Sequence, residues 1–402
     1  MADQQRESIV QAFQSLADKY SSHPSRRPSR QIDPIDTDKE HWNEALSRLQ
    51  LETLPAIHQL IKNLPDSFDC ILRDDQGLKH QAIAEIQSGF DRCLDQLVPF
   101  VAGIRPRPIA SLHQTDDSSL EEFKNFRRQE LRSKIEALSE ELCIVFHIFF
   151  LGQVKQNQSD LQTARRNQPI RKLRFIQLTG IACQSIDCII QWLTSHELSN
   201  ILQNWNATLY DIDSLLCRFV YQVINPMSNS EEEDDDNQDT DSEHKPIYLS
   251  KESLQLAKSV IPIIKVSRLF CRKLSRHVLN QTPSKSFTAM NSLEFDTLNT
   301  AAEMIHCHLD FIIRVVKDAD NHDDAWTASN LAETIQKMRD LFDSNLVLIF
   351  LYIIPLIPHL NVPSPYNDFQ TWSTHWHHLL LLSTQNFLHA VHLFENHPSS
   401  RS

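Results

Sequence analysis

Five glycines in 402 residues are too few for a fold built on hairpins, sandwiches or nucleotide-binding loops. Each of those needs backbone at positive φ, which glycine alone reaches without strain. The closest two, Gly77 and Gly89, stand twelve residues apart, so neither G-x-G-x-x-G nor G-x-x-x-x-G-K can be written. Helices make no such demand. Strand-like alternation bounded by turn pairs is missing as well, and apolar residues recur instead at three-to-four spacing. Trp42, Leu46, Leu49, Leu54, Ile57, Leu60, Ile61 and Leu64 form one such stripe, with Pro55 placed to kink it. The same period runs through residues 76–102, 119–154, 169–193 and 197–224, and again through 249–279, 291–317, 325–342, 346–360 and 369–394. The expected class is all-α.

A single core stops growing at about 250 to 300 residues, so a chain of this length calls for two packed units. With 41% hydrophobic and 23% charged residues it has the material for both. Ser118, three residues before Glu121, and Ser250, three before Ser253, read as helix caps. Pro169 suits a first helical turn. Residues 231–243 hold nine acids among thirteen positions and no base, a composition that cannot form a core. Removing those nine charges takes the formal net from −13 to −4, so the acidity belongs to this run and not to the helical surfaces. These readings give two up-and-down helical bundles joined by an acidic disordered linker. The expected divisions are a short helix and flexible basic segment over 1–37, a bundle over 38–226, the linker over 227–247 and a second bundle over 248–397.

The amino-terminal stretch Met1–Tyr20 alternates charged and apolar residues and lacks the apolar centre of a secretory signal, which points to the cytosol or nucleus. Eight cysteines without a C-x-x-C suit small buried hydrophobes in a reducing compartment. Neither disulfides nor structural zinc are expected.

Several groups invite a chemical reading. His375, His377, His378, His389, His392 and His397 cluster near the end of the chain. His378 and His389 lie about 16 Å apart along a helix, whereas zinc holds each nitrogen at about 2 Å. No acid or cysteine stands at ligand spacing to complete either histidine pair, so packing or surface roles are expected. Glu303-Met-Ile-His306 has the Glu-x-x-His form of di-iron bundles, but the second copy such a site requires is absent. G-x-S-x-G is absent too. The expected catalytic, metal and cofactor sets are therefore empty, with an unrecognised polar cavity inside a bundle as the enzyme alternative. The run Leu346–Leu360 is the most apolar, yet it is short of the ~20 residues a span needs and is interrupted by Pro355 and Pro358. It reads as a buried core helix, with peripheral membrane association as the alternative.

Arg165, Arg166, Arg171, Lys172 and Arg174 crowd five positive charges around a helix start, where the macrodipole favours acids. Without interleaved aromatics they do not suggest nucleic acid. They read as a solvated basic face, or as a contact for the acids Glu231, Glu232, Glu233, Asp234, Asp235 and Asp236 of the same chain. Ser29 after Arg26 and Arg27, and Ser228, Ser230 and Thr240 ahead of acids, have the charge contexts of phosphorylation sites.

The order of features resembles the cyclin-D-interacting (GCIP-like) helical family. Thr179-Gly180 with Cys183, Ile186 and Asp187 in LTGIACQSID looks like that family's Thr-Gly helix, and the acidic run falls where the family has its acidic interruption. SKESLQLAKSVIPIIKVSRLFCRKLS (Ser250–Ser275) and LNTAAEMIHCHLDFIIRVV (Leu298–Val316) look like the two helices that follow, with Asp310 in the acidic position. The likeness spans residues 39–317. The family places tryptophan where this chain has Cys183 and cysteine where it has Ile186, so a partner surface that uses that indole does not carry over. The resemblance implies a non-enzymatic regulator of cell-cycle or transcription proteins, cytoplasmic and nuclear, with protein partners engaged through helices. From the residues alone, nucleic acid and stable membrane insertion are disfavoured.

Overall fold

Long stretches with an apolar residue every third or fourth position, broken by proline more often than by glycine, fold as helices that each seal one face. The computed structural model describes residues 11–18, 39–72, 78–104, 116–154, 161–224, 249–276, 285–357 and 365–396. They form α1 (residues 11–18), α2 (Lys39–Arg48), α3 (Leu54–Leu72), α4 (Leu78–Gly103), α5 (Asn125–Val154), α6 (Leu161–Thr194), α7 (Glu197–Ile224), α8 (Lys251–Leu274), α9 (Ser292–Lys317), α10 (Asp324–Leu348) and α11 (Pro365–Glu395). Among the described residues there is no strand, and the fold is all-α.

The chain divides into two compact units, Met1–Ser195 and His196–Ser402. In the first, α3 packs on α4 and α6, and α5 packs along α6. Aromatic rings tie these helices together: Trp42 stacks on Phe100 at 5.8 Å and takes Phe123 edge-on at 5.8 Å, while Phe146 receives Phe90 at 4.9 Å and Phe13 of α1 at 5.8 Å. The buried Arg127 guanidinium lies 4.5 Å from the Trp192 ring and pairs with Glu122 at 2.8 Å, fastening the start of α5 to the end of α6.

In the second unit Phe270 of α8 is fully buried and touches an aromatic ring from three other helices. Trp205 of α7 lies at 6.1 Å, Phe342 of α10 at 5.0 Å, and Trp376 of α11 at 4.7 Å. The indole groups are not left wanting: Trp205 Nε1 donates to the Leu298 carbonyl at 3.0 Å and Trp376 Nε1 to the Val266 carbonyl at 2.9 Å. This places α7 with α8 and α9, and not with the first bundle as the expected boundary at 226 has it. The physical reason is that the inward residues Trp205, Ile212 and Phe219 seal against the second core. The expected linker 227–247 lies outside the described residues, and in chain order it falls between two helices of one unit, not between the units.

Four further expectations change. The helix expected from Ser119 starts at Asn125, because Ser118–Phe123 forms a 3-10 turn in which Glu121 adopts φ 51°; Asp117 then accepts the Asn125 N–H at 2.8 Å. The helix expected from Pro169 begins at Leu161 and runs through that proline. The apolar run Leu346–Leu360 is no separate helix: it is the tail of α10, a π turn at Ile349–Ile353 and a 3-10 turn at Ile354–Leu356, after which 358–360 lie outside the described residues. Its isoleucines 349, 353 and 354 are buried while Val347 and Leu351 are exposed. The cysteines are not uniformly buried either, since Cys188, Cys217 and Cys307 are exposed.

Two π turns precede a proline by the same interval. Leu49–Thr53 is followed by Leu54 and Pro55, and Ile349–Ile353 by Ile354 and Pro355; in each, the residue before proline donates to the carbonyl five back. A proline cannot donate and its ring crowds the carbonyl four residues earlier, and widening the preceding turn accommodates both. The expected cap at Ser250 is present: its hydroxyl accepts the Ser253 N–H at 3.2 Å.

Phe270→Ala should destabilise the second unit by about 3 to 5 kcal/mol, the usual cost of emptying a buried aromatic site, as read by denaturant unfolding followed through tryptophan fluorescence. The glycines supply a second check. A Cβ at Gly180 would meet nothing within 4 Å, whereas one at Gly89 would come within 2.8 Å of Leu60 Cδ2. Gly180→Ala should therefore stabilise by about 1 kcal/mol, and Gly89→Ala should gain less because Leu60 has to move.

Candidate interaction surfaces

The basic cluster sits differently from its expected place. Because α6 starts at Leu161, Arg171, Lys172 and Arg174 stand well inside the helix, beyond the first turn in which the dipole acts. Arg174 is exposed and the other two are half-buried. The side chains of Arg165 and Arg166 lie outside the described residues, as do Glu231, Glu232, Glu233, Asp234, Asp235, Asp236, Ser29, Ser228, Ser230 and Thr240.

Beside these charges α6 presents an outward stripe without any. Ile170, Leu173, Gln177, Gly180, Ile181, Gln184, Cys188 and Gln191 are all exposed, and their spacing keeps them on one side of the helix. Ile170 is 68% exposed, Leu173 59% and Ile181 48%. Inward, Phe175, Ala182, Ile186 and Ile189 fill the core, so α6 is apolar on two sides over its first half. Thr179 turns its hydroxyl to the Phe175 carbonyl at 3.1 Å, leaving Gly180 alone at the surface of the Thr-Gly pair. Among the described residues one helix, Ile170–Thr194, is long and apolar enough to cross a membrane; it is not the run the sequence singles out. The signal for this face was available as apolar residues at 170, 173 and 181 that fall outside the inward stripe.

The carboxy-terminal histidines spread along the outside of α11. His375, His378, His389 and His392 are exposed, and His377 lies 3.4 Å from Asp343 of α10. His397 lies outside the described residues. Glu303 is exposed on α9 one turn before the half-buried His306. Among the described residues no three histidine, cysteine or acidic side chains come together in a metal-holding group.

A cleft of about 280 Å3 opens beside the first π turn, lined by His41, Glu44, Arg48, Thr53, Asp95, Gln96, Pro99 and Phe100 among others. Thr53 donates to Gln96 Oε1 at 3.0 Å and Arg48 pairs with Glu44 at 2.9 Å. Of the cleft's charges, Arg48 and Glu44 are spent on each other.

The charges on α8 are all positive but one. Lys251, Lys258, Lys265, Arg268, Arg272, Lys273 and Arg276 in and just after this helix face a single acid, Glu252. Asp213 of α7 takes Arg268 at 3.4 Å and Arg272 at 2.5 Å, and Asp368 lies 3.8 Å from Lys273. The exposed Lys251, Lys258, Lys265 and Arg276 are left as a ridge that the sequence reading missed; a seven-residue spacing of lysines was its sign.

Two histidines titrate against burial. Desolvation, then the nearby Lys337, holds His308 below its ordinary value, and its Nδ1 is buried without a hydrogen-bond partner. Desolvation also lowers His196, whose Nδ1 accepts the Ser199 N–H at 3.1 Å at the start of α7. Burial pushes the Cys271 thiol up to about 12, which leaves it an inert hydrophobe. A lowered folded value means that the unfolded chain takes up protons first as pH falls below about 6.5. The neutral histidines therefore contribute stability above that pH which is lost progressively toward each folded value. Combining His308→Gln with His196→Asn should flatten the fall in melting temperature of the second unit between about pH 6.5 and 5, measured by calorimetry across that range.

Comparison with known proteins divides the chain where its packing does. Residues 42–194 match a domain of unknown function (DUF8723), and residues 196–389 match another domain of unknown function (DUF8721). No curated protein and no solved structure matches.

Proposed function

We propose that the protein is a non-catalytic interaction module whose first unit receives a helix of a partner protein along the outward face of α6. The observation that carries this reading is the stripe from Ile170 to Gln191: large aliphatic side chains, uncharged glutamines and a bare glycine, on a helix whose opposite face is already sealed. Apolar side chains left at the surface in one row mark docking sites, and a helix is the complement that matches such a row over several turns. Arg171, Lys172 and Arg174 at one end select a partner with acids beside its apolar stripe. Gly180, with open space above it, lets a second backbone approach closely. The resemblance to cyclin-D-interacting proteins extends the proposal to regulators of cell-cycle or transcription proteins in the cytosol or nucleus.

A lipid surface is the second reading, favoured by the length and apolarity of Ile170–Thr194. The two separate cleanly in one design. A photo-crosslinking residue at Gln177 or Gln184 should capture a discrete protein in cells. Gly180→Leu, which fills the open space while improving helix propensity, should reduce that capture by about tenfold without lowering the melting temperature. Flotation of the purified protein with vesicles, abolished by Ile181→Glu, together with unchanged crosslinking in Gly180→Leu, would sink the protein reading in favour of the membrane.

A further inference from the structure

We infer that the ridge of α8 is the docking surface for the chain's own acidic run, residues 231–243. Lys251, Lys258 and Lys265 repeat every seven residues and Arg276 follows eleven later; at 100° per residue all four project within about 40° of one another along some 37 Å of helix. None is paired with an acid among the described residues, although every other base on this helix is: Asp213 holds Arg268 and Arg272, and Asp368 holds Lys273. The ridge is thus an unneutralised positive strip in a chain whose net charge is −13.

Three features select the occupant. The acidic run holds nine acids and no base, so its charge complements the strip with room to spare. It joins α8 directly, and its middle acid, Asp236, stands fifteen residues from Lys251 and twelve from Ile224, tethers of about 51 and 41 Å when extended, each longer than the ridge. Its other end is held at Ile224, the last residue of α7, which belongs to the same unit. The run is therefore confined near the ridge at high effective concentration. The cluster around Arg174 belongs to the other unit and has no such tether advantage. The ridge also lacks the interleaved aromatics on which single-stranded nucleic acid stacks. Docking here would shield the ridge from external polyanions.

The test uses the full-length protein and a glutamate-specific protease, with cleavage after Glu243 followed by mass spectrometry. A free peptide of residues 227–247 corrects for the effect of salt on the protease. In about 25 mM salt the run should be cut at least about fivefold more slowly in the intact protein than in the peptide, and the difference should vanish near 500 mM. The variant K251Q/K258Q/K265Q/R276Q should be cut at the peptide's rate at both salt levels while its circular-dichroism melt is unchanged. R171Q/K172Q/R174Q should stay protected. Equal cleavage of the wild type and the ridge variant at low salt overturns the proposal. So does loss of protection in the Arg171 variant alone, or wild-type binding of a dT20 oligonucleotide that depends on the ridge and leaves cleavage unchanged.

Discussion

The ring of Phe270 is where four helices of the second unit are made to agree. It is fully buried on α8, and its neighbours Trp205, Phe342 and Trp376 arrive from α7, α10 and α11, while α9 joins through the carbonyl that accepts the Trp205 indole. Large rings in tilted and edge-on contact bury much area with few rotatable bonds, so a single arrangement is favoured over a fluid core. The polar indole nitrogens make the arrangement directional, because each requires a particular carbonyl at a particular helix crossing. The first unit achieves the same end with its rings dispersed, in one group around Trp42 and another around Phe146.

Class and period were open to reading because they depend on residues taken one helix at a time. Scarce glycine and three-to-four spacing report on local geometry, and Ser250 caps α8 as its position suggests. The division of the chain was not open in the same way. Trp205, Ile212 and Phe219 have the same spacing whichever core they enter, so periodicity cannot say to which bundle α7 belongs. The acidic run drew the boundary to itself because its composition excludes a core, but exclusion from a core does not distinguish a link between units from a loop within one. The true join, at Ser195 and His196, is short and bears no mark in composition; what defines it is Glu197, buried where its carboxylate accepts the Thr288 N–H and hydroxyl at 2.8 and 2.9 Å, a contact across ninety-one residues of chain.

The candidate surfaces were partly legible for the same reason. Charge crowding at Arg171 to Arg174 is visible as text, whereas the lysine ridge of α8 emerges only when Asp213 and Asp368 are seen to remove its neighbours from the count. The apolar run at 346–360 is prominent in sequence, but its described part, 346–357, folds half inward, tied at Tyr352, whose hydroxyl donates to Glu294 at 2.8 Å. The less prominent aliphatics of α6 stay outside. Hydrophobic density along the chain and apolar exposure on the surface are different quantities, and only the second bears on partners.

That α7 and α8 flank residues 225–248 while packing side by side in one core has a consequence for the continuity of the chain itself. Loop-closure entropy grows only logarithmically with length, about 0.6 kcal/mol for each doubling, so the bundle is nearly indifferent to how long that connection is. A cut there costs more, because the two pieces lose the effective concentration that the tether supplies and the folded contacts have to outweigh that loss. Once folded, α7 is held by Trp205 against Phe270 and by Asp213 between Arg268 and Arg272, contacts that no peptide bond in the run supports. A molecule nicked there would persist as two interlocked pieces, a natural point for fragment complementation.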